Sequence, residues 1–312
     1  MATRQLRFKA QRDAWATIRG YVYQVDLTIQ RWLELQPGFE LELERGEDVD
    51  TIHKAINKRG KPQARLLDQI KARDKNVTLR SSAVLGALAY FYEHERENTG
   101  FDLKYRYVTN AQLGKEQNSP VSNGKPLLVL WNELTQAHLS IDEQSKTLNL
   151  IRRFLRSVRR PNGFPEATWK PFAEFIKHGN SQRFDSFIRN IEWLAHQTGT
   201  ASVGPKIQEI LTSEYEVRPD QAQTVYSVLF LHVFKLLTQA GIKRLTIADR
   251  KSVLASPRVS SEDQALFANL SQYQTDLSQR MDALEKAVGI LQPRALPAAS
   301  EIRQACNKVT GR

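Results

Sequence analysis

The residues of this chain whose types and spacing suit chemistry lie between Phe39 and Lys71. Phe39-Glu40-Leu41-Glu42-Leu43-Glu44 alternates carboxylates with apolar groups, a period of two that sorts them onto opposite faces of a strand. Gly46 permits a turn, and Val49-Asp50-Thr51-Ile52 resumes the extended spacing, so Asp48 and Asp50, two apart, are expected to share a face. A third strand from Arg65 to Ala72 turns Leu67, Gln69 and Lys71 one way and Asp68 and Ile70 the other, presenting Gln69 and Lys71 together. Phosphodiester hydrolysis calls for such a set. A divalent cation polarises the phosphate and lowers the pKa of an attacking water, and hard Mg²⁺ prefers carboxylate oxygens and waters. A lysine nearby orients that water or offsets transition-state charge. An acid from one strand and an x-(Glu/Gln)-x-Lys from the next supply these groups, although a solvated hairpin with a charged outer face has the same spacing.

The flanking elements must hold these strands. Residues 11–35 read as a helix, with Tyr21, Val22, Val25, Ile29, Trp32 and Leu33 near three-to-four spacing. After the strands, Thr78 is a candidate N-cap for a helix through Ala83, Leu85, Leu88, Ala89, Phe91 and Tyr92. Arg80 sits at its start, where the dipole disfavours a cation, and is a candidate phosphate contact. Phe101 to Val108 alternates as a fourth strand. The polar stretch from Lys115 to Asn123 reads as a loop and a candidate DNA contact.

Beyond it the pattern is helical throughout. On 147–158 an apolar ridge is surrounded by Arg152, Arg153, Arg156, Arg159 and Arg160, a candidate DNA-binding stripe. Pro161-Asn162-Gly163-Phe164-Pro165 ends it, and helices follow around 165–178, 181–197, 204–214 and 219–240, with a small last helix at 245–250. After a linker at 255–260, Ser261 and Gln264 form a capping box, and the apolar spacing from Leu266 to Leu291 is that of a short coiled coil or bundle helix. The proline-bearing tail from Gln292 reads as poorly ordered.

The order Gly20-Tyr21-Val22-Tyr23-Gln24, then Glu44-Arg45-Gly46-Glu47-Asp48-Val49-Asp50, then Gln69-Ile70-Lys71 resembles the double-stranded DNA endonuclease domain at the N-terminus of bacterial anti-phage effectors. These include the CBASS CD-NTase-associated nucleases and the Avs-type STAND NTPases, a branch of the PD-(D/E)XK or restriction-endonuclease-like superfamily. The resemblance spans residues 15–110 by motif and, more loosely, the helical stretch to 255. It implies an α/β restriction-endonuclease-like core, a mixed sheet flanked by helices, at 1–115. A helical region at 116–255 would complete the nuclease domain, and 256–312 would hold the linker, the coiled-coil-like helix and the tail. It implies Asp50 or Asp48 as the metal-binding acid, Gln69 where the superfamily usually has Asp or Glu, and Lys71 as the catalytic lysine. Because an amide brings no charge, Glu44 or Glu47 is expected to provide the second carboxylate, and Gln24 a contact through water. The implied cofactor is Mg²⁺, with Mn²⁺ able to substitute. The implied partners are double-stranded DNA, a sensor or NTPase module in cis or in a separate protein, and further copies of the chain. The rivals are an endonuclease restricted to modified or specific sites and an inactive DNA-binding scaffold.

Composition points the same way. A net charge of +11 over 312 residues creates a field that attracts polyanions, so nucleic acid is the leading class of partner. The lone cysteine, Cys306, excludes an internal disulfide and a cysteine metal cluster and fits a reducing cytosol. No signal peptide, membrane span, phosphate-binding loop, His-Glu-x-x-His or zinc spacing is present, so a cytoplasmic location is expected. The six histidines are scattered and read as structural.

Overall fold

Alternation at period two builds the first two strands. In β1 (Phe39–Leu43) the leucines Leu41 and Leu43 are buried on one face, while Glu42 on the other meets Arg65 and Arg244. β1 follows helix α1 (Ala14–Leu33) and pairs antiparallel with β2 (Val49–His53), which pairs antiparallel with β3 (Arg65–Lys71). Helix α2 (Ser82–Glu97) then crosses over to β4 (Leu103–Thr109), which lies parallel to β3. The computed structural model describes residues 14–53, 64–116, 124–255 and 272. The chain divides after Ser260 into two units, and the sheet with its helices belongs to the first. The linker, the coiled-coil-like helix, the tail with Cys306 and most of the 115–123 loop lie outside the described residues.

The region expected to be purely helical contributes two strands as well. Helices α3 (Leu127–Thr135), α4 (Ile141–Ser157), α5 (Glu166–His178) and α6 (Ser181–Arg189) lead into β5 (Ile191–Leu194). Helices α7 (Val203–Glu214) and α8 (Pro219–Leu237) lead into β6 (Lys243–Leu245), which is followed by α9 (Ile247–Ala255). The result is a mixed six-stranded sheet in the order β5-β4-β3-β2-β1-β6, with helices on both faces. The expectation of one helix over 181–197 fails at Asn190. Phe184, Phe187, Ile188, Ile191 and Leu194 continue a three-to-four spacing, so periodicity does not reveal that the last four residues extend to pair with Tyr105–Val108.

One face of the sheet carries the larger core. Phe91 of α2 stacks on Tyr105 of β4 with ring centroids 4.7 Å apart, and Trp131 of α3 meets Trp193 of β5 edge-on at 5.3 Å while donating its indole N–H to Ile188 O. Tyr92, Phe172, Phe175 and Phe187 extend this core across α2, α5 and α6. On the other face α1 meets the sheet where Arg31 reaches Asp68, and its C-terminal end is fastened by α9. The buried Arg250 donates to Trp32 O and Leu33 O at 2.6 and 2.7 Å, supplying partners for carbonyls that a helix end leaves unpaired. The N-cap of α2 is Ser81, not Thr78. Ser81 is extended and accepts the Thr78 N–H on its hydroxyl, so the chain makes one more turn before the helix starts. No helix among the described residues is long and apolar enough to cross a membrane.

Candidate active site

The loop between β1 and β2, Glu44 to Asp48, is shaped from below by Asp50. Its two carboxylate oxygens accept the backbone N–H groups of Gly46 and Glu47 at 3.0 and 3.1 Å. Gly46 lies so close that a Cβ there would stand 2.6 Å from Leu67 Cδ2 and 3.0 Å from Asp50 Oδ2, so any side chain would force one of them to shift. This tight turn projects Glu47 and Asp48 over β3. Asp48 Oδ2 accepts the Ile70 N–H at 2.6 Å and lies 3.3 Å from Lys71 Nζ. Glu47 Oε2 accepts from Gln69 Nε2 at 3.0 Å, and its other oxygen lies 3.6 Å from His94 Nε2 on α2. With the Gln69 amide turned to donate to Glu47, Oε1 points elsewhere. It is buried, on a residue 6 % exposed, and accepts no hydrogen bond among the described residues.

Glu47, Asp48, Gln69, Lys71, Tyr90 and His94 line one cavity of about 330 Å³, with Glu44 also in its lining. Glu44 has a left-handed backbone (φ 51°), and its carboxylate accepts from Lys243 of β6. Burial pushes the Glu47 carboxyl above its ordinary pKa, and the hydrogen bond and charge of His94 only partly oppose this. For His94 the balance reverses. Burial disfavours its charged form, but the Glu47 hydrogen bond, then the charges of Glu47 and Asp50, lift its pKa.

Of the residues singled out from sequence, the fold brings together Glu44, Glu47, Asp48, Gln69 and Lys71. It does not bring Asp50 alongside Asp48. Asp50 is 1 % exposed, holds the loop from beneath and faces a second cavity with Arg45 and Arg65; burial raises its pKa to about 6 against those two backbone donors. The reason is that β2 begins at Val49, so Asp48 belongs to the turn and the alternation does not reach it. Gln24 lines neither cavity, and its Nε2 is buried without a partner.

The arginine stripe dissolves into structural contacts. Arg152 donates to Ile176 O, Gly179 O and Ser181 Oγ, and Arg156 to Ile176 O and Lys177 O, so both satisfy carbonyls at the end of α5. Arg160 donates to Phe164 O and lies 3.6 Å from Glu166, and Arg80 lies over the Phe154 ring at 5.2 Å; Arg80, Arg153, Arg156, Arg159 and Arg160 all remain exposed. Sequence reasoning missed His94 and Tyr90. They stand four apart on α2, a spacing that places them on one helix face, and that was the available signal.

No group of three or more His, Cys, Asp and Glu side chains converges as a ready metal cage among the described residues. The donors lining the cavity are the carboxylates of Glu44, Glu47 and Asp48, the Gln69 amide and the His94 imidazole. The hard oxygens suit Mg²⁺, which keeps several waters and takes one or two carboxylates.

No family model and no curated protein matches this chain. Solved structures similar to it include the Moraxella osloensis Cap4 SAVED/CARF-domain containing receptor, at 13 % identity and a TM-score of 0.41, covering 69 % of this chain and 43 % of that one. Another is the Acinetobacter baumannii Cap4 SAVED/CARF-domain containing receptor with the cyclic trinucleotide 3'3'3'-cAAA, at 10 % identity and a TM-score of 0.47, covering 80 % of this chain and 47 % of that one. The chain thus spans under half the length of either, and a likeness at this level assigns no activity.

Proposed function

We propose that this chain is a metal-assisted endonuclease with a restriction-endonuclease-like core, acting on the phosphodiester bonds of DNA. One observation carries the reading. The turn carboxylates Glu47 and Asp48 line one cavity with the buried Gln69 amide and the Lys71 ammonium, in a chain of net charge +11. Asp48 and Glu47 would hold Mg²⁺, or Mn²⁺ in its place, and the Gln69 amide would join them once turned so that its oxygen faces the ion. When bound, the ion supplies Lewis-acid polarisation of the phosphate and a more acidic water. Lys71 places a positive charge where the phosphate oxygens gain charge. Its contact to Asp48 keeps that carboxylate oriented, and Asp50 acts through the loop as a positioning residue. Double-stranded DNA as target, self-assembly, a sensor or NTPase module and a place in anti-phage defence follow from the motif resemblance and belong to the same proposal.

Conversion of supercoiled plasmid with Mg²⁺, with Mn²⁺ and with EDTA tests it. Cutting is expected with either metal and not with EDTA, and Lys71→Ala and Asp48→Asn are each expected to lower the rate on the order of 10²-fold or more. Undiminished cutting by both variants, or silence of the wild type even at protein concentrations that force assembly, would overturn the reading. Binding of a cyclic trinucleotide together with that silence would point to a receptor instead.

A further inference from the structure

The groove that opens from the candidate site is larger than the site itself. Its volume is about 910 Å³, and it shares Gln69, Lys71 and Tyr90 with the smaller cavity. One wall is the turn after β3, Arg73-Asp74-Lys75-Asn76. Asn110 pins that turn, accepting the Arg73 N–H at 2.8 Å and donating to Arg73 O at 3.0 Å, and the wall's acid, Asp74, is paired with Arg19 at 2.6 Å. Arg73 and Lys75 therefore set the charge of this side, with Lys71, paired to Asp48, at its end.

The opposite wall is aromatic. Tyr90 of α2 and Phe164 from the loop after α4 meet at 5.1 Å between ring centroids, tilted by 61°. Gly86 makes room for them. A Cβ at that position would lie 3.0 Å from Phe164 Cε2, so a glycine inside α2, at a cost of roughly 1 kcal/mol against alanine, lets the ring rest on the helix. At the inner end stands Gln69, more than nine-tenths buried, with its unpartnered oxygen.

Cations along one side and aromatic faces along the other fit a strand whose phosphates follow the cations and whose bases stack on the rings. In a closed duplex the base faces are already covered, and an aromatic wall beside the backbone finds nothing to stack on. The volume lies within the roughly 300–1,000 Å³ of small-molecule sites, room for a few nucleotides.

We infer that this groove holds unpaired nucleotides flanking the bond to be cut, so that a double-stranded target is engaged where it is locally opened, with Tyr90 and Phe164 selecting the unpaired state. The position of the cut bond rests on the nuclease reading; the binding does not.

Fluorescence anisotropy in EDTA, which silences cleavage, separates the two. The probes are a short oligothymidine, the matching oligouridine and a blunt hairpin duplex, bound by the full chain. Both single strands are expected to bind at least about tenfold tighter than the hairpin, and Phe164→Ala to weaken them on the order of 10- to 100-fold. Preference for one sugar would set the substrate as DNA or RNA within the same proposal. Phe164 also packs at the edge of the core, so Phe164→Leu and the exposed Lys75→Ala are measured beside it with their melting midpoints. Phe164→Leu is expected to weaken single strands while melting like the wild type, and Lys75→Ala to lower the salt slope by about one. Equal or tighter binding of the hairpin, or wild-type single-strand affinity in both Phe164 variants, overturns the inference. Metal-dependent cutting that Lys71→Ala abolishes, without strand preference, would leave the nuclease reading standing and this one fallen; strand-selective binding without cutting would do the reverse.

Discussion

Asp68 and Gln69 are neighbours on β3, both buried, and they point to opposite faces of the sheet. On Asp68 both oxygens are occupied. Arg106 grips them in a fork at 2.6 and 2.7 Å, and Arg31 of α1 lies 3.4 Å away. Gln69 is left half satisfied, its amide nitrogen on Glu47 and its oxygen on nothing. Burying a polar group without a partner costs free energy, and folds seldom tolerate it. Asp68 therefore helps to build the sheet, and Gln69 is where the proposed ligand would supply a missing partner.

The largest expected effect breaks the saturated side. Asp68→Ala leaves the half-buried Arg106 and Arg31 without their shared carboxylate, and unfolding in urea should show a loss of about 3 kcal/mol. A loss no greater than that of Asp48→Ala would erase the distinction between the faces. Next comes the unsaturated side. Gln69→Leu removes the open oxygen while keeping bulk, so stability should hold within about 1 kcal/mol while metal-dependent cleavage falls on the order of 10²-fold. A melting curve and a plasmid assay on the same preparation decide it.

A third buried side chain sharpens the rule. Asp26 of α1 is fully buried, accepts the Tyr226 hydroxyl of α8 at 2.8 Å on one oxygen, and has none on the other. Burial raises its pKa from 3.8 to about 7, against the hydrogen bond from Tyr226. The unfolded chain ionises this group first, so the folded state holds the extra proton between these values and stability falls as pH rises from about 4 to about 7. Melting midpoints at both ends of that window should differ less in Asp26→Asn than in the wild type. The smallest effect belongs to an exposed partner of a satisfied group. Burial pushes Glu42 up, but the hydrogen bonds and charges of Arg244 and Arg65 outweigh it and hold its pKa below the usual range. Arg244→Ala leaves Arg65 in place at 3.0 Å, and should cost under about 1 kcal/mol in the same melts.

Much of the sheet's first half was legible because alternation is a property of the chain itself. The leucines of β1, the split of Gln69 and Lys71 from Asp68 on β3, and the alternating β4 all follow from the two-residue pleat. The same rule misplaced Asp50 beside Asp48, because it was extended across a turn in which the pleat does not exist. The arginines of α4 read as a stripe since nothing in their own segment names a partner; the carbonyls that Arg152 and Arg156 satisfy lie about twenty residues on, at the end of α5.

The sequence by itself determined the strand that carries Gln69 and Lys71, the two strands that flank the Glu47–Asp48 turn, and a charge suited to polyanions. These depend on neighbours along the chain and on counting. Tertiary structure alone decided that β5 and β6 extend the sheet, that His94 and Tyr90 reach the cavity from α2, and that Asp68 is satisfied while Gln69 is not. Those outcomes depend on which groups meet across the fold, and whether a buried polar atom has a partner is a property of the meeting, not of the residue.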